Sequence, residues 1–412
     1  MAVHILEESK RCLQCKRPLC REGCPVNTPI PQMISLLLSG KIEEAGTMLY
    51  RNNPMSVVCS LICPVGDYCE GHCVLNRKSN PIHVSAIENY ISNFYLGMRE
   101  EVFEAPYSGK IAVIGGGPAG ISLSVFLATY GYELTIFESM PRVGGVMRYG
   151  IPEYRLPNSI LDKLEVHLHE LGIRIHPNMT IGPTFTLTDL FRDGYEAIFV
   201  GTGVWNPKRI NLKGETLPNV YHAINFLKSP DVYNLGETCV VIGAGNVAMD
   251  VARTAKRKGV RNVIIFYRRG REDIRATEEE ITYTELDGVE FKFHTEPLEF
   301  TLEGLYYKSS EEGAEEERGF FPCDSIVIAI SQASQKNIAN SDELLQLNEK
   351  GLIITDENGE TTHPGVFATG DVVTGARTVV DAVAGAKKIA NQIHKYIQLK
   401  DNPDKEIEDL FL

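Results

Sequence analysis

Eight of the ten cysteines in this 412-residue chain fall between Cys12 and Cys73, in two blocks spaced as metal ligands. One block runs Cys12-x2-Cys15-x4-Cys20-x3-Cys24-Pro25, and the other Cys59-x3-Cys63-Pro64-x4-Cys69-x3-Cys73. Thiolates crowded this closely, two of them followed by Pro, suit iron–sulfur clusters, whose irons need soft ligands in loops that wrap a cube. A pair of zinc sites is the competing reading, although zinc usually takes well-separated Cys-x2–4-Cys knuckles. Cys239 and Cys323 stand alone at strand-like positions far downstream and read as core residues.

A second chemistry lies in two glycine loops. Lys110–Gly120 reads K-I-A-V-I-G-G-G-P-A-G, a buried parallel strand running through Gly115-x-Gly117-x-x-Gly120 into a helical pattern. Glycines let the backbone turn tightly against a pyrophosphate, whose charge meets unpaired N–H groups and the positive end of the helix dipole. Glu138 closes the next strand, 23 residues after Gly115, where a carboxylate can take a ribose hydroxyl pair. The motif recurs as Gly243-Ala244-Gly245-Asn246-Val247-Ala248 after the strand that begins at Thr238. There the position equivalent to Glu138 is Phe266, followed by Tyr267, Arg268 and Arg269 and then Arg275. Planar guanidinium groups suit a 2′-phosphate, so this loop favours NADPH over NADH.

Around these groups the pattern supplies positioning elements. Ile30–Tyr50 has helical periodicity and would hold the two cysteine blocks together. Pro141–Pro157 carries Gly144, Gly145 and Gly150, which allow close packing on a large flat ligand. Asn158–Leu171 reads as an amphipathic helix, and Ala197–Gly203 as a strand ending on a small-residue turn at Thr202. Residues 97–109 read as a polar linker, Ser309–Arg318 as an acidic hairpin tip, and Lys400–Leu412 as an acidic tail with an apolar end. A formal charge of −13 argues against nucleic acid or an anionic membrane as main partner, and no apolar run approaches the ~20 residues of a membrane span. Met1–Lys10 lacks the apolar core of a secretory signal, so a cytoplasmic protein is expected.

The cysteine pattern followed by this glycine loop resembles the glutamate synthase small (beta) subunit and the N-terminal half of dihydropyrimidine dehydrogenase. These are NAD(P)H-dependent FAD and iron–sulfur electron-transfer units. The resemblance implies an α/β fold with a helical N-terminal iron–sulfur domain and two Rossmann-type domains, the NADPH domain inserted in a split FAD domain. The expected boundaries are 1–104, 105–203, 204–331 and 332–412. It further implies two 4Fe-4S clusters with interleaved ligands: Cys12, Cys15, Cys20 and Cys73 for one, and Cys24, Cys63, Cys69 and Glu88 for the other. Cys59 would then be spare; the competing reading, which the resemblance disfavours, is that the eight cysteines make two all-cysteine clusters.

For FAD, the resemblance points to Gly115, Gly117, Ala119, Gly120, Glu138, Gly145, Val146 and Arg155, with Ile181 at the adenine end and Thr202 under the nucleotide. Gly365–Asp371 looks like the closing FAD signature, with Gly370, with Asp371 on the ribityl chain, and with Thr378 and Val379 opening a helix that faces the flavin. Arg268, Arg269 and Arg275 match NADP contacts of the dehydrogenase branch, while Ser331 stands where the family usually has Gly. The order implied is NADPH, FAD, clusters, then an outside acceptor: a catalytic subunit or ferredoxin, in a hetero-oligomer. The alternatives are a self-sufficient flavin disulfide reductase, which needs a redox Cys pair, and a non-catalytic cluster-bearing scaffold.

Overall fold

The computed structural model describes residues 4–97, 107–310, 316–401, 407 and 410. The chain divides into two compact units, one of Met1–Met147, Tyr154–Val204 and Ser334–Leu412, the other of Arg148–Glu153 and Trp205–Ala333.

In the first unit a five-stranded parallel sheet has the order Val366–Ala368, Ala197–Val200, Lys110–Ile114, Glu133–Phe137, Arg174–His176. Its central strands are apolar without alternation, as expected where both faces are covered: Ile111, Ala112, Val113 and Ile114 are all buried. Helix Pro118–Ala128 starts with Gly117 as N-cap and Pro at its first position, and is buried from Ala119 to Leu127. It packs on helix Val379–Asp401, whose buried side includes the small residues Ala382, Ala386 and Ala390, so the two backbones approach closely.

The N-terminal part of this unit is a set of short helices: Ile5–Lys10, Leu19–Glu22, Ile30–Leu38, Ile42–Asn52, Ser56–Ile62 and Val84–Leu96. Helices of this length are marginal alone and depend on tertiary packing. Met33, Ile34, Leu49, Ile87 and Ile91 form their core, and Cys69 and Cys73 are part of it. At Gly46 an added Cβ would lie 2.6 Å from the Tyr95 ring, so glycine lets helices Ile42–Asn52 and Val84–Leu96 close together. The expected boundary at 104 lies outside the described residues.

The second unit has its own five-stranded parallel sheet, in the order Val220–His222, Ser325–Ile328, Thr238–Ile242, Asn262–Phe266, Glu290–Lys292. Three antiparallel strands, Thr295–Phe300, Gly304–Ser309 and Glu317–Pro322, follow as a meander. The expected acidic tip joins the last two, but residues 311–315 lie outside the described residues. Of the acidic tail, only 400, 401, 407 and 410 are described. Among the described residues no helix is long and apolar enough to cross a membrane.

Asn206–Pro207 pairs antiparallel with Gln332–Ala333, fastening the entering strand of the insertion to the leaving one. Ser331, at this exit, has φ of 112°, a conformation that L side chains rarely adopt. That conformation suits the glycine that the family resemblance places at this position. Replacing Ser331 by Gly is expected to relieve about 1 kcal/mol of backbone strain and raise the thermal unfolding midpoint by a few degrees. An unchanged or lower midpoint by calorimetry would contradict the strain.

Candidate functional site

The first ligand set is gathered from both cysteine blocks. Cys12, Cys15, Cys20 and Cys73 line one small pocket, walled by apolar Leu19, Ile30 and Ile34. Burial pushes the Cys20 thiol up to about 11, reinforced by the charges that Cys73, Cys12 and Cys15 would carry; a backbone N–H of Arg21 opposes the rise. Cys12 is raised by burial and then by Cys15 and Cys73, against the N–H of Gln14. All four thiols are free. Four thiols that would repel one another as thiolates in a desolvated space are a donor set that needs a polycationic body between them.

The second set comes from three places in the chain. Cys24, part-buried, contacts Thr28 Oγ1 at 3.3 Å. Cys69 is raised by burial first and then by Glu88, Glu70 and Cys24, and Cys63 by its hydrogen bond with Cys59, then burial, Cys59, Glu88 and Cys69. Glu88 is thus within electrostatic reach of Cys24, Cys63 and Cys69 alike. Glu88 is only 9% exposed, and burial lifts its carboxyl to about 7 against the Ser56 hydroxyl, which donates to Oε1 at 2.7 Å. That is its one hydrogen bond among the described residues, fewer than a carboxylate can accept. Cys59 is buried beside Cys63, to which it is hydrogen-bonded. No three His, Cys, Asp or Glu among the described residues converge on a single ion position. A cube spreads its ligands around four irons, so the donor chemistry of both sets fits such a group.

Two residues of this region were not singled out by sequence reasoning. Glu70, inside the second block, accepts from Ser85 N at 2.9 Å and Ser85 Oγ at 2.7 Å, which caps the start of the Glu88 helix from outside. Tyr68, two residues earlier, has its hydroxyl 3.2 Å from Asp381 Oδ2 and 3.3 Å from Thr378 Oγ1. Thr378 Oγ1 donates to Asp381 Oδ2 at 2.6 Å and accepts from Asp381 N at 3.2 Å, capping helix Val379–Asp401. A cluster loop is therefore tied to the cap of the helix whose start, Thr378 and Val379, was expected to face the flavin. Spacing alone carries no signal for either contact.

At the first glycine loop, an added Cβ on Gly120 would sit 2.0 Å from Gly115 O, and one on Gly145 2.7 Å from Gly117 Cα. These are backbone approaches that only glycine permits, with Gly145 also at φ 53°. Gly117, by contrast, meets nothing nearer than 3.8 Å, so its missing side chain leaves room on the helix N-terminus. Glu138, buried, accepts from Gly116 N at 2.7 Å through Oε2 and from Met140 N at 2.7 Å through Oε1, and so braces the loop. Val146 opens the short helix Val146–Tyr149 beside Gly145, Arg155 is half-buried, and Thr202 follows Gly201, whose N donates to Ile114 O at 2.8 Å. Ile181 is buried, its carbonyl accepting from Asn337 Nδ2 at 2.7 Å. Gly370 has φ 77° and its would-be Cβ faces Ala119 at 3.4 Å. Asp371 is pushed up to about 6 by burial and next by Asp381, against the Arg377 N–H that donates to it at 3.1 Å.

The second loop is built alike, with Gly243 at φ 116° and Gly245 as N-cap of helix Asn246–Arg257. Nothing lies within 4 Å of a Cβ on Gly245. Internal packing does not require glycine there, whereas a phosphate approaching the helix N-terminus would. Ala244 is buried, Val247 packs against the unit's core, and Asn246 Oδ1 accepts from Thr277 N at 3.3 Å. Phe266 is buried, so no carboxylate follows the second strand, while Arg268, Arg269 and Arg275 are exposed beyond it. Both loops therefore leave ligand-sized freedom at a helix N-terminus and fit dinucleotides.

A parallel-sheet dinucleotide fold with two such loops, joined to a cysteine-rich helical module, defines a pyridine-nucleotide-dependent flavin oxidoreductase with an iron–sulfur domain. Residues 91–386 match the pyridine nucleotide-disulphide oxidoreductase family and residues 2–99 match the dihydropyrimidine dehydrogenase domain II, 4Fe-4S cluster, family. The chain belongs to the pyridine nucleotide-disulphide oxidoreductase family, in the branch of glutamate synthase small-chain-like proteins. It is 30% identical to the glutamate synthase [NADPH] small chain of Escherichia coli (strain K12), over 95% of this chain and 91% of that one. It is also 30% identical to the NAD-dependent dihydropyrimidine dehydrogenase subunit PreT of Salmonella typhimurium, over 95% of this chain and 94% of that one. Mycobacterium tuberculosis FprA in complex with NADPH shares the fold, at TM-score 0.61 and 19% identity, covering 74% of this chain and 88% of that one. FAD, NAD(P)H and 4Fe-4S chemistry follow from the family.

Two pairs of variants separate the roles of these groups. Gly120→Ala is expected to destabilise the fold by about 1–3 kcal/mol through backbone overlap, while Gly245→Ala leaves the unfolding midpoint unchanged and weakens nucleotide binding. Equal midpoints for the two would contradict the packing difference. Glu88→Ala is expected to lower the iron content to about four per chain, one 4Fe-4S cluster, and Cys59→Ala to leave it at about eight. The reverse result would move the ligand to Cys59.

Proposed function

We propose that the protein is an electron-transfer subunit that takes electrons from NADPH and delivers them, through FAD and two 4Fe-4S clusters, to a partner protein. The observation that carries this reading is the Tyr68 hydroxyl, which joins the second cysteine block to the cap of helix Val379–Asp401. FAD, when bound, divides the two electrons of a nicotinamide hydride into the single electrons that iron–sulfur clusters accept. The chain's own residues bind and orient. In this reading Gly115, Gly117, Gly120 and Glu138 receive the FAD pyrophosphate and ribose. Gly370, Asp371 and the Thr378–Val379 helix start face its other end. Cys12, Cys15, Cys20 and Cys73 hold one cluster, and Cys24, Cys63, Cys69 and Glu88 the other. The working boundaries are 1–104, 105–203, 204–331 and 332–412.

Preference for NADPH rests on Phe266 in place of an acid and on exposed Arg268, Arg269 and Arg275 beside it. The relatives divide, since one small chain is named for NADPH and the PreT subunit for NAD. Both are named as parts of larger enzymes, which supports a protein acceptor and hetero-oligomeric assembly, with a catalytic subunit or ferredoxin as the candidate acceptor; the cytoplasmic setting rests on the absence of a secretory-signal pattern in Met1–Lys10. A disulfide reductase would need a reactive cysteine pair. Burial instead pushes both Cys239 and Cys323 up to about 12, leaving them as thiols at neutral pH.

An anaerobic titration with NADPH and then NADH, followed by visible and EPR spectra, tests the reading. Flavin bleaching with reduction of about eight irons per chain, two 4Fe-4S clusters, is expected. Flavin that ignores both nucleotides would overturn it. Replacing Arg268 and Arg269 together by Ala is expected to weaken NADPH about tenfold or more, the loss of charge-assisted contacts worth over 1 kcal/mol, and to leave NADH nearly unchanged. Equal losses would remove the 2′-phosphate assignment.

A further inference from the structure

We propose that the rim of the first ligand set is the docking surface for a small acidic one-electron carrier protein. The inference rests on the electron-transfer reading above and names the surface and partner chemistry that the reading leaves open. Five of the twelve residues from Lys10 to Arg21 are Lys or Arg and none is acidic, and Arg77 and Lys78 follow Cys73 within five residues, in a chain whose formal charge is −13. The two stretches form one rim: Arg11 Nη2 donates to Asn80 O at 2.6 Å and Nη1 to Pro81 O at 3.4 Å. Lys16, Arg21, Arg77 and Lys78 are exposed and have no carboxylate within ion-pair distance among the described residues.

At the centre of the rim lies the pocket lined by Cys12, Cys15, Cys20 and Cys73, with Leu13 at its edge, 62% exposed. The cysteines of this set therefore stand under a cationic surface. The second set is tied inward through Tyr68 to Asp381. On a molecule this acidic, an acidic partner is repelled over most of the surface and attracted here, so the field both steers and orients the encounter. A charge-dominated rim with a single large exposed apolar side chain is the chemistry of a brief encounter rather than of a permanent subunit interface, which needs a broad apolar area.

The test uses the holoprotein with its flavin and clusters, and a purified acidic 4Fe-4S ferredoxin as probe. Affinity is measured at about 20 mM and about 300 mM NaCl, where the screening length falls severalfold, with NADPH-driven dye reduction followed on the same samples. Binding at low salt that weakens about tenfold or more at high salt is expected. The triple variant K16E/R77E/K78E is expected to lose about tenfold or more at low salt, with iron, flavin and dye reduction as in wild type. The charge-preserving variant K16R/R77K/K78R should bind as wild type, which shows that a loss in the triple variant reflects charge. Salt-independent binding, an undiminished affinity in the triple variant, equal binding of basic cytochrome c, or no binding of ferredoxin would overturn the docking surface. Failure of wild-type protein to reduce dye from NADPH would instead overturn the functional reading itself.

Discussion

A thiolate or carboxylate placed in a small core must meet positive charge or give up its own, and the N-terminal part of this molecule is arranged around that constraint. Cys69 and Cys73 share a core with Met33, Ile34 and Ile87, and Glu88 lies on the same helix as Ile87 and Ile91. The apolar surroundings that raise Cys69 and Glu88 when no cation is near strengthen their hold on a cationic body when one is present. Short helices that supply little stability of their own make the same point from the other side. In such a segment, ligand loading and folding are coupled, because the groups that bind are also groups that must be buried.

The two glycine loops show how one local solution serves two ligands. In each, the N–H of the first glycine donates to the carbonyl ending the next strand, Gly115 to Phe137 at 2.9 Å and Gly243 to Phe266 at 3.0 Å. The backbone is thereby set before any ligand arrives. What differs is the side chain beyond. Glu138 braces the first loop through Gly116 N and offers a carboxylate at its edge. Phe266 turns into the core with Tyr307 and Phe321, so ligand discrimination falls to the arginines that follow.

Much of this was legible in the sequence because it is local. Strand, glycine turn and helix follow one another within a dozen residues, and the four-ligand spacing of the first cysteine block is itself the geometry of a loop. The hairpin around the acidic run was legible from its run of charge, and the split of the sheet-forming segments only through the family resemblance. Other features depend on contacts between distant residues. Ser56 meets Glu88 across 32 residues and Tyr68 meets Asp381 across 313, and neither belongs to a periodic pattern. Arg148–Glu153 groups with the second unit although its neighbours on both sides belong to the first. The positive φ of Ser331 was hinted at only by the glycine that the resemblance would place there.

The helical module and the first sheet fall in one compact unit, and polar contacts explain why. Tyr50 hydrogen-bonds His167, Lys387 Nζ donates to Asn52 Oδ1 at 3.0 Å, and Tyr68 reaches Asp381. Each of these joins an element of the cysteine module to a helix of the sheet domain, at part-buried or buried positions where an unpaired partner would be costly. A module held by apolar packing alone could slide, since such contacts are non-directional. Directional bonds at three separate places fix its orientation. For a protein that moves single electrons between cofactors this matters more than added stability, because the chain's contribution to that chemistry is to hold fixed positions. The hydrogen bonds across the module boundary are thus part of the functional apparatus even though none of these side chains is itself read as a ligand.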